Sequence, residues 1–124
     1  MANPNLLALT TVRGENAKLS LANTSATVLV NNPAGSNKLI MVASVIAAND
    51  DTSVAVEVTL THNTADDGAG TAYNLARQVS VPAKQSVVLV SKAAPVLLKE
   101  DESLVITAGA ANDLDVAASW FELS

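Results

Sequence analysis

KLIMVASVIAANDDTSVAVEVTL, residues 38–60, decides how the rest of the chain is read. Its second part, VAVEVTL, alternates: Val54, Val56, Val58 and Leu60 fall on one side, Ala55, Glu57 and Thr59 on the other. That period of two places successive side chains on opposite faces of a half-buried strand. The first part, residues 38–48, is apolar at nearly every position and shows no alternation. Length alone admits a helix there. The β-branched content and the turn formers on both sides, NNPAGSN before and ANDDTS after, favour a strand covered on both faces. Antiparallel sheets normally leave one face wet, so a doubly covered strand calls for a second layer or a neighbouring subunit.

Working outward, further strands are expected over residues 6–12, 17–21, 26–31, 75–81, 86–91, 104–108 and 114–123. In LARQVSV, Leu75, Val79 and Val81 share one face and Gln78 and Ser80 the other; Arg77 falls on the apolar side and is expected to snorkel at a sheet margin. Each connection, RGEN, NTADDGAGT, VPAKQ, KEDE and GAAND among them, offers glycine for positive φ, proline for a fixed φ, or Asn and Asp to bond their own backbone. Eight to nine short strands at regular spacing predict an all-β fold, an antiparallel β-sandwich that is jelly-roll-like or Ig-like. The 124 residues suit one such domain. Residues 1–5, with Pro4, two asparagines and little to bury, are expected to form a flexible N-terminal arm.

Composition narrows the chemistry. The chain is 49% hydrophobic, yet Tyr73, Trp120 and Phe121 are its only aromatics, so the core is built from alanine, valine and other small side chains that suit closely packed sheets. The net charge is −5, and the cations Arg13, Lys18, Lys38, Arg77, Lys84, Lys92 and Lys99 are scattered. Without clustered cations or stacking aromatics, neither nucleic acid nor an anionic membrane is an expected partner. There is no cysteine, which removes disulfides, thiolate metal sites and a cysteine nucleophile together. No apolar run approaches the ~20 residues that cross a bilayer, and the first residues lack a basic and then apolar leader pattern, so a soluble, uncleaved chain is expected.

Three clusters invite a chemical reading. His62, the only histidine, lies near Asp66 and Asp67, but there is no G-x-S-x-G elbow and no second histidine for zinc; a strand-end histidine beside a loop is the expectation. TADDGAG lacks the alternating ligands and closing glutamate of a calcium loop and reads as a polar hairpin tip. Glu100, Asp101 and Glu102 in KEDES read as a solvated turn entering a strand, since acid catalysis would require one of them protonated by burial. Paired acids acting on a sugar would need aromatic platforms, of which the chain has few. No catalytic residue, metal ligand or cofactor is therefore assigned, and the chain is not expected to be an enzyme. Trp120 and Phe121, being adjacent, point to opposite faces of a strand, one to the core and one outward.

The segments NPAGSNKLIMVASVIAANDDTSVAVEVTL and VSVPAKQSVVLVSKAAPVLLKEDESLVITAGAANDLDVAASWFELS, within residues 26–124, resemble the small virion structural proteins of tailed bacteriophages, of decoration or cement type. The shared form is an N-P turn, a long apolar strand ending in A-N, a V-x-V strand, a V-P-A turn, an L-x-x-G-D-x-L turn and a terminal L-D-V-x-x-S-W strand; Glu100 stands at the glycine position of the fifth element. The resemblance implies a non-enzymatic β-sandwich that stabilises a shell through oligomeric contacts with the major capsid protein or another virion protein. A homotrimer matching lattice symmetry and a virion location follow from it. The alternative is a tail- or neck-associated module that binds a host-surface glycan through a loop such as residues 63–71. The interface residues expected on either side of the long strand and the last one are Leu39, Met41, Val45, Trp120, Phe121 and Leu123.

Overall fold

The computed structural model describes residues 3–124; of the expected arm, Met1 and Ala2 lie outside the described residues. Nine strands run in order: β1 (Val12–Leu21), β2 (Thr27–Asn32), β3 (Leu39–Asn49), β4 (Val56–Asn63), β5 (Ala72–Val81), β6 (Ser86–Val90), β7 (Val96–Leu98), β8 (Glu102–Ala108) and β9 (Leu114–Leu123). They form two antiparallel sheets. Sheet I has the order β1-β9-β3-β6, with β7 beside the first half of β3 where β6 flanks the second. Sheet II has the order β2-β8-β4-β5. Nearly every connection crosses from one sheet to the other, and only β4–β5 and the broken edge β6–β7 stay within one. This is the double-wound strand order of a jelly roll, in which the two sheets face each other across a shared core.

The sheets meet on the alternation visible in the sequence. Val56, Val58 and Leu60 point inward from β4, Leu104, Ile106 and Ala108 from β8, and Leu114, Val116 and Ala118 from β9. Each fully buried Val or Leu contributes roughly 1.5–3 kcal/mol relative to exposure. Short branched side chains dominate this layer, and Trp120 is the one aromatic packed against it.

Two departures from the expected strands have clear causes. In β3 the pairing with β9 slips between Val42 and Ser44, so the inward set changes from Ile40 and Val42 to Val45 and Ala47. That bulge erases the period of two. In β5 the register slips opposite β4, so that Ala76 and Val79 are the partners of Leu60 and Val58. Gln78 takes φ 49° there and donates its N–H to Thr59 Oγ1. Leu75, expected inward, is consequently exposed, and Arg77 lies in solvent. Residues 6–12 are not a strand: Leu6–Ala8 form a single 3-10 turn whose Leu7 N–H is capped by Asn5 Oδ1. Val54 lies before β4 and is exposed.

Strand ends are fastened by a repeated device. β2, β3 and β4 each finish on a buried asparagine. Asn32 donates to the carbonyls of Lys38 and Leu98, Asn49 to those of Val54 and Val81, and Asn63 to that of Gly68. Their side-chain oxygens accept from Ser36, Asp51 N–H and Thr61 in turn. A primary amide carries both donors and acceptors, so one buried side chain satisfies two loops at once.

Candidate assembly surface

The outer face of sheet I is built in rows, because register partners in antiparallel strands share a face. One row runs Gly14, Phe121, Met41, Leu97 across β1, β9, β3 and β7. A Cβ on Gly14 would lie 3.9 Å from the Phe121 ring, in ordinary van der Waals contact. A second row runs Lys18, Ala117, Ile46, Val88 across β1, β9, β3 and β6. Between them lie Asn16, Ser119 and Ser44, short polar side chains that keep this middle row low. Phe121, Ile46, Val88 and Leu97 are all exposed, and no segment of the described chain covers them. Beside the second row, Lys18, Ser20, Ile46, Ala48, Asp115 and Ala117 line a shallow groove of about 400 Å³.

Over β2 and β8 the outer face of sheet II is roofed by the chain itself, while β5 leaves Tyr73 and Leu75 exposed. The loop between β4 and β5 turns back over β2 and β8 through the turn Asp66–Gly68, where Asp67 takes φ 53°. Asn31 Nδ2 donates to Asp67 Oδ1 at 2.9 Å, and Asp67 N–H donates back to Asn31 Oδ1 at 2.8 Å. Ser103 Oγ donates to the carbonyl of Ala65 and accepts from Gly68 N–H. Gly68 presses so close that a Cβ there would sit 3.3 Å from both Val28 and Val105, and Val105, though outward-facing, is only 7% exposed. The TADDGAG segment is thus the polar β4–β5 hairpin connection expected from its glycines and aspartates, folded back against β2 and β8 instead of standing free. Asp66 Oδ2 accepts from Ala34 N–H, which ties the loop also to the β2–β3 turn.

The three consecutive carboxylates serve three different backbones. Glu100 Oε2 accepts from Gly35 N–H, Asp101 Oδ1 from Asp66 N–H, and Glu102 Oε1 from Lys99 N–H. Asp101 adopts φ 61° and donates its own N–H to Asn32 O. Glu100 is 5% exposed, which corrects the reading of a wholly solvated turn; the corner joins β2, β8 and the roof loop. His62 Nε2 lies 3.3 Å from Glu102 Oε1 without hydrogen-bond alignment, and the ring is mostly covered rather than loop-exposed. Among the described residues, no three His, Asp or Glu side chains converge as metal ligands would.

Two clusters of polar and charged groups sit at the margins of sheet I. Lys38 Nζ donates to Glu122 Oε1 at 2.7 Å and Trp120 Nε1 to Oε2 at 3.3 Å. The Lys38 bond, helped by the indole and by the charges of Lys38 and Arg13, outweighs partial burial and holds Glu122 below the usual glutamate value. At the other margin Asp115 accepts from Ser20 Oγ, which with Asp50 holds it below the ordinary aspartate value, while the hydrogen bond and charge of Asp115 raise Asp50 from that value.

Of the residues expected at an interface, Met41, Phe121 and Leu123 lie on the outer face of sheet I. Leu39 belongs to the same face and is buried there beside Leu123, outside the core cluster. Val45 points into the core after the β3 bulge, and Trp120 packs against the core, so these two look inward. Ile46, Val88 and Leu97 complete the surface; the sequence signal for them is the apolar density of residues 38–48 and 86–91, which gives no phase until the bulge is seen.

No family model matches the chain, and no curated protein is similar to it. Solved structures share the fold. A chain of Bacillus endospore appendages, described as a novel family of disulfide-linked pili, superposes with a TM-score of 0.51 at 11% identity, over 100% of this chain and 96% of that one. A chain of the acidic stable capsid of Helicobacter pylori bacteriophage KHP30 superposes with a TM-score of 0.51 at 13% identity, over 94% and 90%. Identities this low establish a common architecture, and architecture alone does not assign an activity.

Proposed function

We propose that the chain is a non-enzymatic structural subunit of a virion, a capsid decoration or cement protein that acts as a single sandwich unit by self-association and by seating on other virion proteins. The observation that carries this reading is the contrast between β2 and β8, roofed by the chain's own loop, and the central strands β9 and β3 of sheet I, whose exposed apolar rows have no cover. Contiguous exposed apolar surface on a soluble chain marks an interaction site. The fold shared with a phage capsid chain and a pilus chain supports a role in assembly. The chain has no cysteine, so its copies are not joined by disulfides as the appendage pili are. Met41, Phe121, Leu123, Ile46, Val88 and Leu97 supply the contact, in a trimer that matches a threefold position of a shell.

Light scattering of the purified chain tests self-association: a mass three times the 12.7 kDa of one chain is expected, falling to one on Phe121→Asp with Ile46→Asp. Electron cryomicroscopy of the particle tests location. Density for the sandwich across capsomer boundaries is expected; the same density at a tail tip would overturn the decoration role.

A further inference from the structure

The 3-10 turn Leu6–Ala8 buries none of its residues, and Leu7 is 98% exposed with Leu6 at 55%. Single exposed leucines are ordinary, but two adjacent ones held up by a capped turn form a preshaped apolar knob. The chain also carries a hole, the groove floored by Ile46, Ala48 and Ala117 on sheet I. We infer that the Leu6–Leu7 knob of one copy seats in the Ile46/Ala48/Ala117 groove of the next copy. This rests on the self-association proposed above and adds to its sheet I surface the segment of the neighbouring copy that meets it.

Contour length excludes the same contact within one chain. The arm is pinned where Thr10 and Thr11 donate to Ser124 O and Ser124 donates to Thr11 O. From Thr10 back to Leu7 an extended chain reaches at most about 11 Å. The groove lies at the far end of β1, at the level of Lys18 and Ser20. At about 3.3 Å per strand residue, Lys18 stands about 23 Å beyond Thr11. Knob and hole sit at opposite ends of one strand, so the occupant comes from another molecule. Charge is compatible: residues 3–11 carry no ionisable side chain, while the groove rim holds one cation, Lys18, and one anion, Asp115. The small floor residues Ala48 and Ala117 make the depression that two leucine side chains fill.

The contact joins different surfaces of the two copies, so it is heterologous; repeated, it closes a ring when the rotation permits and otherwise runs on as a filament. Its geometry differs from a face-to-face pairing of the Phe121 row, which joins like to like.

The cysteine-free background allows a direct test. Leu7→Cys and Ala117→Cys are made as separate full-length proteins, mixed and mildly oxidised; a disulfide requires Cα atoms within about 4.4–6.8 Å. A linked species of twice 12.7 kDa from the mixture, and far less from either variant alone, is expected. The double variant gives a ladder or a closed ring. Separately, Leu7→Ser and Ala117→Trp each weaken self-association about tenfold, as loss of a central apolar anchor does, and together no further. Both positions are exposed, so unchanged melting temperatures verify folding. Self-association without the mixed disulfide, or Leu7→Cys linking to itself as fast as the mixture, overturns this inference and leaves the assembly reading intact. A chain that stays monomeric removes both.

Discussion

The two sheets share one core but finish differently on the outside. Over sheet II the β4–β5 loop replaces solvent with Gly68, Asp67 and Ala65, and Val105 is buried although it points away from the core. Over sheet I, Ile46 holds the equivalent outward position on a central strand and is left open. One side chain is thus part of the stability of the monomer and the other is available to a partner. Being apolar and on a strand does not separate the two cases; the presence of a loop does.

The sharpest way to break that comparison is a matched pair. Val105→Asp buries a carboxylate under the roof without a partner and lowers unfolding free energy by about 3 kcal/mol or more. Ile46→Asp stays within about 0.5 kcal/mol for the isolated chain while weakening self-association. Urea denaturation at low concentration reads both, and equal losses would erase the distinction. Next in size is Gly68→Ala, which places a Cβ in contact with Val28 and Val105 at φ +78° and costs about 1–2 kcal/mol, against Gly14→Ala, which is near neutral by the same melt. Asn31→Ala removes the reciprocal pair with Asp67 and costs about 1 kcal/mol, with amide exchange at Asp67 and Gly68 accelerating before that of β8.

The smallest effect is at the sheet I margin. Glu122 has a folded value below its unfolded one, so the Lys38 bond contributes stability above the unfolded glutamate value, and that contribution disappears as pH falls through the folded value. Lys38→Met flattens the acid limb of the stability curve below about pH 4.5, by at most about 1 kcal/mol because the pair is partly solvated. A wild-type limb that matches the variant would show the bond to be without weight.

Much of the architecture was legible in local pattern. VAVEVTL gave the inward set Val56, Val58 and Leu60, and Trp120 and Phe121 divided between core and outside as adjacent strand residues must. What escaped depends on contacts distant in sequence. The bulge that rephases β3 is set by pairing with β9, and the bulge at Gln78 by Thr59. The roof depends on Asn31 and Ser103, each more than thirty residues from its loop partner, and β7 is three residues long. KEDE offers three like charges to a reader of the sequence, and only the fold shows that each reaches a different N–H. The apolar rows on sheet I were half visible: residues 38–48 announced cover on both faces, but the described chain supplies it on one.

The three strand-ending asparagines bear on which substitutions the molecule can accept. Asn32 and Asn49 each give two N–H groups to two carbonyl oxygens in spaces closed to water. Exchanging such an amide for the isosteric acid turns a double donor into a carboxylate facing those same oxygens, and an uncompensated buried charge costs several kcal/mol. A single exchange of this kind would therefore open two loops at once, so the sandwich tolerates Asn32→Asp or Asn49→Asp far less than a change of the same size at an exposed amide.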